Sequence, residues 1–397
     1  MIEGIINSKV QQFILENEYA DPFELSLNHK EVEGVSIQLI AQQIAARKKA
    51  KSKLPTWYKT PQIIYPVKVS VEQSSSELTA NYKATLGKGN SYIDLTAGMG
   101  VDTWALSQRF AKGICLEQNQ ELARQTEHNL KALGVANVVV IHTSAEDFLD
   151  GNTESFDLIY LDPARRDANA RKVFTLEDCT PNIVELLPAL KKHGNQILVK
   201  TAPLMDINLS IKSLHGVKEV HVVSVNNDCK EVLYLIDDHS NTEVKVVTVN
   251  LNGHAIEKFD FNLDKESELS VNYSPPKKYL FEPNASIMKA GGFKSIATYY
   301  NLDKLHANTH LYTSDKLAEN FPGRTFQIDH LINYNKKEFH QLGIGNKANV
   351  ATRNFKDSPE QIKKKLGVKD GGEIYLFAFT DISGKMKLAI CSKVNKS

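Results

Sequence analysis

Two acidic residues, each followed by turn-forming neighbours, mark where this chain could do chemistry. One is Asp94, which heads Asp94-Leu-Thr96-Ala97-Gly98-Met-Gly100-Val-Asp102; the other is Asp162, in Asp162-Pro163-Ala164-Arg165-Arg166. The first follows the apolar Ser91-Tyr-Ile, so a strand runs into a glycine turn and then a helix from Val101 to Phe110. Glycines serve such a turn because the backbone must bend sharply and approach a ligand that a Cβ would block. Glu117 ends the next apolar segment, Gly-Ile-Cys-Leu-Glu, where a carboxylate can accept both hydroxyls of a ribose. These are the marks of a nucleotide-type cofactor loop.

A dinucleotide fingerprint needs a third glycine where this chain has Thr103, and no Lys-Ser/Thr follows the loop as a phosphate-cradling loop requires. An acid ahead of Gly-x-Gly suits a cofactor with an ammonium group and no pyrophosphate, such as S-adenosylmethionine. Here the sequence resembles the class I S-adenosylmethionine-dependent methyltransferases, whose first motif reads roughly D-x-x-x-G-x-G-x-D. The resemblance implies that Asp94, Gly98, Gly100 and Asp102, with Thr96 and Ala97 in the same loop, hold the methionine end and that Glu117 holds the ribose. It places Ser144 and Ala145 against the adenine. The family often has Asp at the Ser144 position, and Glu146 or Asp147 are the substitutes in this chain.

The elements that must position these residues read as alternating strands and helices, the pattern of a parallel sheet. Val138–Ile141 is a third strand, Phe156–Leu161 a fourth with Asp162 at its tip, and Asn195–Lys200 a fifth. Glu219–Val225 and Glu231–Ile236 flank Asn226-Asn227-Asp228 as a β-hairpin. A nicotinamide-type sheet does not need that hairpin, whereas class I methyltransferases close with one. The expected fold is α/β: a Rossmann-like seven-stranded methyltransferase sheet with a terminal antiparallel hairpin.

Asp162 and Pro163 are the catalytic candidates. Methyl transfer needs a lone pair held in line with the methyl, and positioning supplies most of the rate. Amino-methyltransferases use an Asn/Asp-Pro-Pro-aromatic loop whose acid and proline carbonyl accept the two hydrogens of an exocyclic amine. Ala164 and Arg165 depart from that pattern, so stacking falls to Tyr160, Phe174 or a guanidinium. Methylation of a ring carbon would require a cysteine nucleophile after the fifth strand; Lys200-Thr-Ala-Pro203 has none, and Cys179 lies far from that loop. Arg165 and Arg166, with Arg171 and Lys172, would contact phosphates of the substrate or pair with nearby acids.

The flanks complete the organisation. Residues 1–70 read as an N-terminal helical domain, with one helix from Glu3 to Glu18 and another from about Val35 to Lys53. The run Arg47 to Lys59 carries six basic residues and no acid; it is either a solvated helix end or a phosphate patch in which Lys53 contacts phosphate and Trp57 or Tyr58 stacks on a base. Ser74-Ser-Ser-Glu77 reads as a capping box opening a helix before the core. The methyltransferase core spans 71–240, a hairpin around Asn252-Gly253 and a ferredoxin-like segment span 241–323, and a small α+β module spans 324–397. That last module, Ala348-Asn-Val-Ala-Thr-Arg353-Asn-Phe355 in particular, resembles the THUMP-like domain of one bacterial methyltransferase family. THUMP domains bind structured RNA, so the resemblance implies an RNA partner and adds Arg353 to the substrate residues.

The formal net charge of +1 carries no global sign of nucleic-acid binding. Four scattered cysteines without a C-x-x-C pair predict neither metal nor disulfides. No signal pattern or membrane-length apolar run is present, which predicts a cytoplasmic protein without membrane partners; oligomeric state stays open. The expected function is S-adenosylmethionine-dependent N-methylation of an exocyclic amine of a base in structured RNA. The alternatives are a small-molecule or protein methyltransferase, or a catalytically silent RNA-binding protein that keeps the fold.

Overall fold

The computed structural model describes residues 2–66, 71–164, 175–237, 243–253 and 255–394. The chain divides into two compact units: Met1–Lys218 with Val232–Asn241, and Glu219–Glu231 with Thr242–Ser397.

In the first unit, strands β1 (Ser91–Asp94), β2 (Lys112–Glu117), β3 (Val138–His142), β4 (Phe156–Leu161) and β5 (Gly194–Thr201) form a parallel sheet in the order β5-β4-β1-β2-β3. Every residue of β1 is buried, as expected of a central parallel strand covered by helices on both faces. Residues 232–237 of β7 (Asp228–Asp237) pair antiparallel with β5, with Val199 opposite Tyr234. Strand β7 is joined to β6 (Val217–Val225) by the two-residue turn Asn226-Asn227. Both asparagines have positive φ, 50° and 64°, which matches the twist a tight hairpin requires. This is the terminal hairpin expected from the sequence. Chain order reverses between β1 and β4, and open α/β sheets bind ligands at the carboxyl ends of the strands beside such a reversal.

The N-terminal residues belong to this same unit. The expected single first helix is two, Ile2–Ile5 and Ser8–Glu16, because the Asn7 side chain caps the second by accepting the Lys9 amide. Helix Pro22–Asn28 and a two-stranded ribbon, Glu31–Val32 with Val35–Ser36, precede helix Ile37–Lys53. Val10, Ile14, Leu25, Ile40 and Ile44 pack into one apolar cluster with Ile64. The Asn129 side chain bonds both the amide and the carbonyl of Ile64, tying this region to the helix after β2, Gln120–Ala132. The capping box before the core is shifted two residues: Ser76 and Thr79 make it, while Glu77 is buried and accepts from the Thr56 and Trp57 amides.

In the second unit, β8 (Lys245–Asn252) runs parallel to β6 and forms a hairpin with β9 (Ala255–Asn262). The β6–β7 turn is held within this unit: the Asn227 amide donates to the Asn250 side chain, and the Asn227 side chain accepts from the Ala285 amide. Seven further strands are β10 (Tyr279–Pro283), β11 (Asp303–His306), β12 (Thr309–Ser314), β13 (Gly323–Asn333), β14 (Asn349–Arg353), β15 (Ile374–Thr380) and β16 (Met386–Lys393). They form one sheet, β11-β12-β10-β13-β16-β15-β14, in which only β14 and β15 are parallel. Helix Pro359–Leu366 buries Ile362 and Leu366 with Leu376, Ala378 and Leu388.

Candidate active site

The first loop is built to be rigid. Asp94 is fully buried; one carboxylate oxygen accepts from the Thr96 amide (3.0 Å) and the other from the Thr103 hydroxyl (2.6 Å). Burial raises its carboxyl to about 7, opposed by those two hydrogen bonds. Gly98 and Gly100 both adopt positive φ, 56° and 87°. A Cβ on Gly100 would stand 2.8 Å from Thr126 Cγ2, whereas one on Gly98 would meet nothing. Gly98 is therefore required for its backbone conformation, and Gly100 for space as well.

Asp102 opens helix Val101–Ser107 and carries a polar network. Its carboxylate accepts from Ser75 Oγ (2.8 Å) and Tyr160 OH (2.9 Å) and faces Lys83 Nζ at 3.1 Å, with Lys83 almost wholly buried. Burial pushes the Asp102 carboxyl up, but Lys83, Lys200 and the two hydroxyls outweigh it and hold it below the usual carboxylate range.

A cavity of about 650 Å³ opens at the carboxyl ends of the parallel strands, within the usual span of small-ligand sites. Its floor is Leu95, Thr96 and Gly98 after β1 and Leu116 to Asn119 at the end of β2. Thr143 to Glu146 after β3 and Asp162 with Ala164 after β4 form further walls. Glu117 accepts from the Gly98 amide (3.1 Å) and the Asn119 amide (2.8 Å), and burial raises its carboxyl. Ser144 uses its hydroxyl to cap helix Ala145–Gly151 through the Asp147 amide.

Of the residues expected at a cofactor, Thr96, Gly98, Glu117, Ser144 and Ala145 line this cavity. Asp94, Ala97, Gly100 and Asp102 do not. Asp94 spends both oxygens inside the loop, Ala97 donates its amide to Leu116, and Asp102 is engaged by Lys83, Ser75 and Tyr160. These four shape the loop and do not line the cavity.

Asp162 sits at the cavity edge, about one-third exposed, with its amide donating to Thr96 Oγ1 at 2.7 Å. Its carboxylate forms an ion pair with Lys200, which projects from β5. Ala164 is pinned to Thr180 by two backbone hydrogen bonds (2.8 and 3.1 Å), which fixes the end of the Asp162-Pro163-Ala164 turn. The described residues place no hydrogen-bond donor on Asp162 Oδ1 or on the Pro163 carbonyl. Cys179 is buried, with its thiol on the Thr175 carbonyl, as a structural cysteine would be.

Arg165, Arg166, Arg171, Lys172 and Phe174 lie outside the described residues. Trp57 is 0% exposed, so the expectation that its ring stacks on a base is corrected: the ring is core. Tyr58 is committed as well, its hydroxyl on Glu18 and its ring under Arg47. Lys53 donates to the Glu72 carbonyl (2.6 Å). Arg353, in the second unit, shares the buried Glu282 carboxylate with Arg324.

Sequence reasoning missed Lys83, Lys200, Thr180 and the wall supplied by Ser36, Gln38, Leu39, Gln42 and Pro66. The one available signal was a lysine ending a β-strand in an otherwise apolar run, Ile197-Leu-Val-Lys200. Among the described residues no cluster of His, Cys, Asp or Glu could hold a metal ion, and no helix is long and apolar enough to cross a membrane.

Three family profiles match the chain: "Conserved hypothetical protein 95" over residues 59–194, a ferredoxin-like domain over 279–322 and a THUMP domain-like profile over 323–393. No curated protein matches. The crystal structure of a candidate methyltransferase from Porphyromonas gingivalis W83 is 30% identical, covers 98% of both chains and superposes with a TM-score of 0.89. A candidate methyltransferase from Streptococcus mutans, solved with S-adenosylhomocysteine, matches 40% of this chain and 97% of its own at 15% identity and a TM-score of 0.29. An rRNA methylase from Streptococcus thermophilus matches 44% and 98% at 14% identity and 0.30. A glycine turn over a ligand-sized cavity, an acid at the tip of β4 and a full-length relative agree: the chain belongs to the S-adenosylmethionine-dependent methyltransferase family that carries a C-terminal THUMP-like domain.

Proposed function

We propose that this methyltransferase N-methylates an exocyclic amine of a base in structured RNA. The observation that carries the reading is Asp162, held at the rim of the cofactor cavity by Thr96 and Lys200 with one carboxylate oxygen toward no described donor.

The cavity fits S-adenosylmethionine on its own chemistry. Among the described residues its charged lining side chains, Glu117, Glu121, Glu146 and Asp162, are all acidic. That set favours a ligand bearing sulfonium and ammonium charges and repels the pyrophosphate of a dinucleotide. Glu117 is the ribose-binding residue in this reading, since each oxygen keeps a lone pair beyond its backbone hydrogen bond. Ser144 and Ala145 flank the adenine, and Thr96 and Gly98 lie along the methionine end. When bound, the cofactor supplies an electrophilic methyl whose bond to sulfur breaks, the electron pair staying on sulfur, as the acceptor nitrogen forms its bond to carbon.

The protein's own task is orientation. Asp162 Oδ1 and the Pro163 carbonyl accept the two hydrogens of the amine, which turns the nitrogen lone pair away from them and toward the methyl. The proton shed after transfer leaves through Asp162 to solvent, to which its carboxylate is open. Thr180 keeps the turn from opening by holding Ala164. An RNA acceptor is supported by the THUMP-like match over 323–393; Arg353, Lys53, Arg165 and Arg166 are the residues offered to its phosphates.

The test is methyl transfer from radiolabelled cofactor into RNA from cells lacking this gene, followed by identification of the modified nucleoside. Label in an N-methylated base that disappears with Asp162→Ala supports the reading. Label in protein or small molecules alone overturns it. RNA binding should also weaken steeply as salt rises.

A further inference from the structure

The four acids of the cavity are not equivalent. Glu117, Glu121 and Glu146 make no ion pair with a lysine or arginine among the described residues, while Asp162 is ion-paired with Lys200. The three carboxylates without a lysine or arginine border the part of the cavity assigned to the ribose and adenine. The paired one stands alone at the acceptor end. Lys200 is 12% exposed and comes from β5, the strand beside β4, so the ammonium is fixed by the sheet rather than by a loop. The same lysine contributes to holding Asp102 ionised, beneath the cofactor loop.

We infer that Lys200 is a positioning residue that neutralises the acceptor end of the cavity and thereby selects a neutral amine, such as that of a nucleobase, over a cationic one. The inference rests on the proposed methyltransferase site and deepens it. Two physical effects follow from one ion pair. Lys200 occupies one oxygen of Asp162, so the other faces the substrate in a single orientation, and a partly buried charge-assisted bond of this kind is strong enough to hold it. It also cancels the charge that would otherwise draw in a protonated amine, whose nitrogen has no lone pair to give. A bare carboxylate here would concentrate unreactive ammonium groups at the methyl. The sequence neighbours Arg165 and Arg166 carry the same sign as Lys200.

The experiment compares wild type, Lys200→Met, Lys200→Arg and Asp162→Asn. Each is assayed for methyl transfer to RNA from cells lacking this gene, to free adenosine and cytidine, and to poly-lysine, with S-adenosylhomocysteine affinity measured by calorimetry to verify a folded cavity. Lys200→Met should lower kcat on RNA about 100-fold, the scale of a misoriented acceptor, with product affinity kept. Lys200→Arg should recover to within about tenfold of wild type. Poly-lysine should be rejected by wild type and should inhibit Lys200→Met.

Lys200→Met with wild-type kcat and no inhibition by poly-lysine overturns the inference, as does a loss of product affinity that Lys200→Arg does not restore. Should wild type ignore RNA but methylate adenosine or cytidine in a Lys200-dependent way, the inference stands and only the RNA acceptor falls. Transfer to poly-lysine, or to none of the acceptors despite product binding, overturns both.

Discussion

Asp94 and Asp162 are the same residue type at the same kind of place, the carboxyl ends of the adjacent parallel strands β1 and β4, and they have opposite fates. Asp94 is sealed, with both oxygens bonded inside its own loop and its carboxyl raised to about 7. Asp162 is about one-third exposed, restrained by a lysine and by Thr96, and presents an oxygen to the cavity. A strand-tip acid is thus sealed into its loop or left open to the cavity according to whether its lone pairs are consumed locally. The local sequence decides it: Asp94 is followed by Thr96 and Thr103, which satisfy it, and Asp162 by Pro163, which has no N–H to offer.

That contrast can be broken most violently at the network between the two acids. Lys83→Met would leave the buried Asp102 carboxylate without its nearest cation, and losing one partner of such a pair costs about 3–5 kcal/mol. Chemical denaturation should show it, with Lys83→Arg partly restoring stability. Next in size, Asp162→Ala should cut methyl transfer about 100-fold, worth about 2.7 kcal/mol of transition-state stabilisation. Its melting temperature should stay near wild type, because the carboxylate is partly exposed. An equal loss of stability would place Asp162 with Asp94 as architecture.

Gly100→Ala adds a Cβ at a left-handed backbone position and within 2.8 Å of Thr126 Cγ2. A cost of about 2 kcal/mol is expected, with weaker binding of S-adenosylhomocysteine in calorimetry. The smallest effect is a slope. Because burial raises the Asp94 carboxyl from its ordinary value of 3.8 to about 7 in the folded chain, the folded state holds an extra proton between those values. Wild-type stability relative to Asp94→Asn should therefore fall as pH rises from about 4 to about 7. Melting curves of both proteins across that range check the sign; parallel curves would mean that Asp94 is already ionised.

The sheet was legible because its signals are local. The apolar runs Val138–Ile141 and Phe156–Leu161, the Asp94 turn and the Asn226-Asn227 hairpin all fall within the observed strands or at their tips. Position on the cavity was legible where it depends on a strand end, as at Asp162 and Glu117. It was illegible where a side chain reaches across the fold: Lys200 is 38 residues from Asp162, and nothing near it in sequence names its partner. Trp57 was misread for a related reason. Its basic neighbours suggested a nucleic-acid surface, but the helix turns those lysines outward and its indole into the core. The helix Ile37–Lys53 was found, yet only folding could show that Gln38 and Gln42, one turn apart, face the cofactor cavity.

The hairpin turn at Asn226-Asn227 has a consequence for how this protein can be taken apart. Thirteen residues near the end of the 71–240 stretch, Glu219–Glu231, group with the C-terminal unit, where Asn227 bonds Asn250 and Ala285. No single cut through the polypeptide yields two intact halves: a gene truncated after residue 240 would produce a catalytic fragment with the unsupported tip of a hairpin. Insolubility of that fragment, relieved by supplying residues 242–397 as a separate chain, is what such interleaving predicts.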